Sequence, residues 1–248
     1  MSKLVLITGA SRGIGAATAL LAARQGYTVA VNYASNAQAA DAVVRQIGQA
    51  GGQAIALQAD VADEAQVLAL FEQLDARFGP LHALVNNAGV VDQTSRVDGM
   101  SLARLQRMFA VNVFGSFICA REAVKRMSTR YGGAGGAIVN VSSAAARLGS
   151  PGQYVDYAAA KGAIDTFTLG LAREVALEGI RVNAVRPGII DTEIHASGGL
   201  PTRARDVAPQ VPMQRAGSAA EVAEAIVWLL SDRASYSTGS FLDVAGGR

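Results

Sequence analysis

The sequence predicts an α/β fold in which a parallel sheet carries helices on both faces. Two observations lead there. Short β-branched runs alternate with longer stretches of helical period almost to the end of the chain. The first such run passes straight into a glycine-rich turn that opens a helix, the arrangement of a dinucleotide-binding unit.

Strands are expected, in order, at 3–8 (KLVLIT), 28–33 (TVAVNY), 53–58 (QAIALQ), 82–87 (HALVNN), 137–142 (AIVNVS), 181–186 (RVNAVR) and 240–245 (SFLDVA). Each is a short apolar run bounded by turn residues. The helices between them, rich in Ala, Leu, Arg and Glu, are expected at 13–25, 37–49, 64–77, 101–128, 154–177 and 219–231. Only 188–217 departs from the alternation, with three of the six prolines and the stretch ASGGLPTRAR, and is expected to be a mobile flap. The glycine-rich YGGAGGA at 131–137 reads as a permissive loop between a helix and a strand.

A length of 248 residues, half of them hydrophobic, suits one domain spanning 1–248. Twenty-two basic residues against 20 acidic ones leave a net charge of +2 without a basic stripe, so nucleic acid is not an expected partner. The lone Cys119, in the apolar FGSFICA, reads as an inert buried thiol and fits a reducing cytoplasm. Nowhere do eighteen apolar residues follow one another, and the N-terminal apolar run is too short for a signal-peptide core. A soluble, unprocessed chain with no membrane association and no metal site is expected.

In TGASRGIG, Gly9, Ser11, Gly13, Ile14 and Gly15 surround a strand-to-helix junction whose backbone amides can hold a pyrophosphate. The alternative is a tight turn with no ligand. An NAD site usually has an acidic residue near the end of the second strand for the adenosine ribose, and TVAVNYASN has none. A 2′-phosphate would instead be met by Arg12 with Ser35 and Asn36, so NADP(H) is favoured over NAD(H). Ser35 and Asn36 can equally be a helix N-cap, and Arg12 a solvated turn residue.

The stretch SPGQYVDYAAAK at 150–161 holds two tyrosines and one lysine. A phenol with an ordinary pKa of about 10 needs nearby positive charge to exchange a proton near neutrality. Tyr157 and Lys161 stand at i and i+4, on one helix face and about 6 Å apart along the axis. Tyr154 lies about 10.5 Å from Lys161 by the same rise, which leaves it as a candidate for the pocket wall.

TGASRGIG, NNAG at 86–89, Asn112 in AVNVFGSF, the serines at 142 and 143, Tyr157 with Lys161, and RVNAVRPG at 181–188 together resemble the short-chain dehydrogenase/reductase family. The wording around SPGQYVDYAAAKGAID and RPGIIDTEIHASGG is similar to its glucose-dehydrogenase-like and beta-ketoacyl-reductase-like oxidoreductases. The resemblance implies a Rossmann-type sheet of strand order 3-2-1-4-5-6-7, a nicotinamide cofactor, a small carbonyl or alcohol substrate, and a homotetramer. It places Asp60 and Val61 beside the adenine, Asn87, Ala88 and Gly89 along the ribose, and Pro187, Gly188, Ile189 and Thr192 at the nicotinamide carboxamide. Tyr157 becomes the acid/base, and Lys161 lowers its pKa and contacts the ribose. Ser143 polarises the substrate oxygen, and Asn112 holds a water that relays protons from Lys161.

One departure stands out: Ser143 precedes Tyr157 by one residue more than the family's usual spacing, with the extra residue expected in QYVD. Ser143 is preferred to Ser142, which would face the other way if the strand still alternates. His195 and Glu193 are expected at exposed loop positions, and His82 in a structural role. Arg126 and Arg130 are expected to complement a helix dipole, although an acidic carrier protein is an alternative partner for both. Two rival readings are a cofactor-binding protein without turnover and a sugar-nucleotide epimerase of the extended type. The full set of Asn112, Ser143, Tyr157 and Lys161 weighs against the first, and chain length and glycine spacing weigh against the second.

Overall fold

The computed structural model describes residues 3–248. The first half alternates strictly: β1 (Leu4–Ile7), α1 (Gly13–Arg24), β2 (Thr28–Tyr33), α2 (Ala37–Gln49), β3 (Gln53–Gln58), α3 (Glu64–Phe78) and β4 (Leu81–Asn86). Next come α4 (Leu102–Phe109), a π-helical turn (Ala110–Phe114), α5 (Gly115–Met127), β5 (Gly136–Val141), α6 (Ala145–Leu148), α7 (Val155–Val175) and β6 (Ile180–Pro187). The chain closes with β7 (Ile190–Asp191), α8 (Ile194–Ser197), α9 (Arg203–Val207), β8 (Gly217–Ser218), α10 (Ala219–Leu230) and β9 (Phe241–Val244).

Seven strands form one parallel sheet in the order β3-β2-β1-β4-β5-β6-β9. This is the implied Rossmann-type order, with β9 as the seventh strand. Side-chain alternation along each strand divides the core into two layers. Val5 and Ile7 of β1, with Val29, Val31, Val139 and Val185, meet α1, α2 and α10 through Ala19, Val43, Ile47, Val222 and Ile226. Leu4 and Leu6, with Ala30, Leu84, Ile138 and Val182, meet α3, α5 and α7 through Leu70, Phe71, Cys119, Ala123 and Ala172. Because both faces are covered, β1 is buried at every position and reads as continuous LVLI rather than alternating. Burial pushes the Cys119 thiol up to about 12, which makes it unreactive.

Two predicted elements differ in detail. The helix expected over 101–128 is interrupted at Ala110–Phe114, where Asn112 Nδ2 donates to the Met108 carbonyl at 3.0 Å and to Val90 O at 3.0 Å. The side chain thus takes over a backbone acceptor, and the turn widens. The segment 188–217 is not a bare loop. It carries α8, α9 and the short β7–β8 ladder, and buries Ala204 and Val211. Among the described residues no helix is long and apolar enough to cross a membrane, and no acidic, His or Cys group is arranged to hold a metal.

Candidate active site

Polar side chains tie the carboxyl ends of the central strands together. Thr8 Oγ1 accepts from the amides of Asn87 and Ala88, both at 3.0 Å. Asn87 Nδ2 donates to the carbonyls of Thr8 at 2.8 Å and Gly9 at 3.0 Å. Asn32, 1% exposed, accepts from Gly9 N through Oδ1 and donates to Leu57 and Ala59 carbonyls. Sequence reasoning missed Thr8 and Asn32. The signal was available in Asn32, an amide inside a buried strand, because a buried amide must find partners.

The glycines of the first turn serve this brace as well as a ligand. Gly9 has φ +61°, and a Cβ there would lie 2.9 Å from Ala88 Cα. A Cβ on Gly15 would come within 2.5 Å of Asn87 Nδ2. Their small size therefore lets the turn pack on the NNAG strand end. Gly15 packs behind the turn, against Asn87 and the Gly9 carbonyl.

α1 begins at an extended Arg12 with no side-chain cap and no acidic residue in its first turn. Its free amides and positive dipole end open onto a cavity of about 800 Å3. That volume is in the range of small-molecule sites. An uncapped helix start facing such a cavity fits the diphosphate of a dinucleotide. Gly9, Ser11, Arg12, Gly13, Ile14, Ser35, Asn36, Asp60, Val61, Asn87, Ala88 and Gly89 all lie on the wall, as do Pro187, Gly188, Ile189 and Thr192. Asn36 Oδ1 caps α2 by accepting from Ala39 N at 3.0 Å, so the capping alternative holds for that atom. Tyr33, Ala34 and Ser35 present no carboxylate at the end of β2.

The other end of the cavity is built from the end of β5 and the start of α7. Ser142, 2% exposed, donates to Asp165 Oδ1 at 2.6 Å, and Asp165 pairs with Arg186 at 2.9 Å. Ser142 thus belongs to a brace between β5, α7 and β6. Ser143 accepts from Ala145 N at 3.1 Å, and its hydroxyl lies near enough to Tyr157 to act on that phenol's pKa. Both serines lie on the cavity wall, and Ser142 is the one tied to Asp165.

Burial pushes Tyr157 up to about 12, with the Ser143 hydroxyl acting in the opposite direction. Burial pulls Lys161 down to about 8, with Asp165 acting to raise it. Lys161 Nζ donates to the Val141 carbonyl at 2.7 Å and lies 5.6 Å from the Tyr157 ring centroid. The two side chains share the expected face. In the unliganded chain burial is the largest influence on Tyr157, while the Lys161 ammonium rests on the Val141 carbonyl.

Asn112 is fully buried and off the cavity wall. Its Oδ1 accepts from Val90 N at 3.1 Å, and both it and Lys161 Nζ crowd the space where Gly89 lacks a side chain. Tyr154 is buried on the wall, with its hydroxyl against Gly198. His195, expected in an exposed loop, is half-buried on the wall with Nε2 2.9 Å from Ile190 O. Glu193 is exposed, and His82 accepts from Leu4 N at 3.1 Å as a structural group. Arg126 is committed to Asp75 at 2.8 Å and Glu122 at 3.0 Å, which leaves it no free charge for a carrier protein. Arg130 lies 4.0 Å from Glu178.

Comparison with known proteins places this geometry. Residues 9–248 match a family model described as enoyl-(acyl carrier protein) reductase. The chain is 62% identical over 245 residues to the uncharacterized oxidoreductase YgfF of Escherichia coli strain K12, covering 99% of each. It is 38% identical over 248 residues to the 3-oxoacyl-[acyl-carrier-protein] reductase FabG of Staphylococcus aureus strain Mu50, covering 100% of this chain and 98% of the relative. A solved double mutant of a Serratia marcescens short-chain dehydrogenase/reductase superposes with a TM-score of 0.90 at 35% identity, covering 99% of this chain and 97% of that one. With its sheet order, its uncapped α1 and its Ser-Tyr-Lys cluster around one cavity, the chain belongs to the short-chain dehydrogenase/reductase family of NAD(P)-dependent oxidoreductases acting on CH–OH groups.

Proposed function

We propose that the protein is an NADP(H)-dependent carbonyl reductase, with Tyr157 delivering the proton to the substrate oxygen. The observation that carries this reading is that Ser143, Tyr157 and Lys161 line one wall of the same cavity, with Lys161 Nζ 5.6 Å from the Tyr157 ring and the phenol held protonated by burial. Two hydroxyls on one cavity wall suit a single carbonyl oxygen, one polarising it and one protonating it.

The nicotinamide, when bound, supplies the hydride. The amides at the start of α1 would hold its pyrophosphate. Arg12 and Ser35, at a β2 end without a carboxylate, favour a 2′-phosphate. Lys161 is placed to leave the Val141 carbonyl for the nicotinamide ribose, which would bring its charge to bear on Tyr157. Asn112 supports that end of the cavity by fixing Val90. A protonated Tyr157 at neutral pH is loaded for reduction rather than oxidation. The substrate class is a small ketone or, by likeness to the FabG relative, a 3-oxoacyl thioester. One domain with a movable 188–217 flap, a homotetrameric assembly and a cytoplasmic location complete the reading.

A panel of ketones, sugars and 3-oxoacyl thioesters, followed by the absorbance of NADPH and NADH, tests it. Turnover is expected with NADPH for wild type and a loss of about 10²- to 10⁴-fold in kcat for Tyr157→Phe. A Tyr157→Phe enzyme as active as wild type would overturn the assignment. Cofactor binding without turnover of any carbonyl would favour the non-enzymatic alternative.

A further inference from the structure

The cavity wall carries Arg12, Arg107, Lys161, Arg203 and Arg248 against the carboxylates of Asp60 and Glu193 only. Arg12 stands at the turn that faces the pyrophosphate, and Lys161 beside Tyr157. Arg203 has no such assignment. It is the first residue of α9, half-buried, with its guanidinium carbon 5.3 Å from the Tyr154 ring centroid.

The arginines that flank α7 on its other sides each hold a carboxylate, Arg104 that of Asp156 and Arg186 that of Asp165. Among the described residues no hydrogen bond or ion pair reaches the Arg203 guanidinium, and its contact is the face of Tyr154. A planar cation stacked on a ring leaves its edge of N–H donors open. That fork matches carboxylate and phosphate oxygens. The other side chain beside it, His195, has a lowered pKa from burial, and its Nε2 is engaged by Ile190 O, so it supplies no counter-charge.

Position decides what brings the anion. Tyr154 caps α7 one turn ahead of Tyr157, and one turn is about 5.4 Å. It sits in the loop that is one residue longer than the family's usual form, so this seat accompanies that extra residue. Arg203, Tyr154, Ser143 and Tyr157 all line the one cavity, so a substrate with its carbonyl at Ser143 and Tyr157 can carry an anionic group toward Arg203. We propose that Arg203, seated on Tyr154, binds the anionic group of the substrate, so that the enzyme takes short oxo compounds bearing a carboxylate or a phosphate. The proposal rests on carbonyl reduction at Tyr157 and names the substrate class for that site.

The test uses two matched pairs, acetoacetate with methyl acetoacetate and dihydroxyacetone phosphate with dihydroxyacetone. Each is assayed with NADPH on wild type, Arg203→Gln and Arg203→Lys. Wild type is expected to favour the anion in at least one pair by tenfold or more in kcat/KM, and the pair that shows it identifies the anion. Arg203→Gln should reduce that ratio by about 10- to 100-fold, mainly through KM, and Arg203→Lys should keep part of it. No preference in wild type, or a ratio unmoved by Arg203→Gln, overturns the proposal. An NADPH Kd that rises by the same factor in Arg203→Gln also overturns it and gives the arginine to the cofactor. If neither pair turns over, carbonyl reduction of these compounds fails separately. Calorimetric binding of acetoacetate and of dihydroxyacetone phosphate to the NADPH-loaded wild type and Arg203→Gln then decides: weaker binding of either anion by the variant supports the anion site, and equal affinity for both overturns it.

Discussion

Arg104 clasps Asp156, the residue immediately before Tyr157, through Nε to Oδ2 at 2.8 Å and Nη2 to Oδ1 at 3.2 Å. Its remaining arm donates to the Gln93 carbonyl at 2.6 Å. The pair joins α4, the loop after β4 and the first turn of α7, and the Asp156 side chain is fully buried. Removing one partner leaves an uncompensated buried charge. Asp156→Ala is expected to lose about 3–5 kcal/mol of stability, and Arg104→Met with Asp156→Leu to regain much of it. Urea unfolding of the single and double variants measures both; a single variant as stable as wild type would show the pair to be idle.

With Tyr157 as the proposed acid/base, the pH dependence of the reaction follows from its hydroxyl, which burial holds up to about 12. Below that value the phenol keeps its proton, so the acid needed for reduction is present throughout the neutral range. Oxidation needs the phenolate, whose population in the unliganded protein gains tenfold per pH unit until the pKa is reached. Alcohol oxidation is therefore expected to rise steadily from pH 7 to 10, and ketone reduction to stay level over pH 6–8. Initial rates in both directions in one buffer series check this. An oxidation rate already level at pH 7 would mean that cofactor binding brings the Lys161 charge fully onto Tyr157.

Much of this arrangement was legible in the sequence because strand and helix periods are local. The LVLI and TVAV runs sit in the sheet as read, and the i, i+4 spacing put Tyr157 and Lys161 on one face. Ser142 and Ser143 both follow the end of β5 and both reach the cavity wall, so the alternation of that strand did not separate them. What stayed hidden depends on partners distant in the chain. The Lys161 ammonium rests on Val141, and Asn32 crosses from β2 to the first turn, neither of which a pattern of spacing encodes. His195 read as exposed because it falls in the Pro- and Gly-containing 188–217 stretch, whereas the fold brings its Nε2 within 2.9 Å of Ile190 O on β7.

Cofactor choice turns on the end of β2. A carboxylate at position 35 would accept from ribose hydroxyls and repel a 2′-phosphate. Ser35→Asp is expected to shift the ratio of kcat/KM for NADPH over NADH toward NADH by tenfold or more. Arg12→Gln should lower the same ratio through KM for NADPH. Steady-state kinetics with both cofactors read it, and a Ser35→Asp enzyme with an unchanged ratio would place the adenosine ribose elsewhere.

The exposed apolar side chains bear on assembly. Leu102 is 69% exposed, Phe114 58% and Phe117 45%, along α4, the π-helical turn and α5. Val155 and Leu169 on α7 are also exposed, and their separation of fourteen residues is about four helical turns, so they share a face. Phe117 stacks on Phe167 of α7 with ring centroids 3.7 Å apart, which joins the two helices into one apolar surface. A surface of this kind on a single chain is poorly hydrated and suits self-complementary pairing about a two-fold axis. Wild type is expected to sediment as a tetramer, and Phe114→Glu with Phe117→Glu as a smaller species that keeps its far-UV circular dichroism. Because α7 carries Tyr157 and Lys161 on its inner side, the dissociated variant should also lose kcat as its first turn loosens. A wild-type chain that sediments as a monomer at micromolar concentration would reject the assembly, and a dissociated variant with full kcat would separate assembly from catalysis.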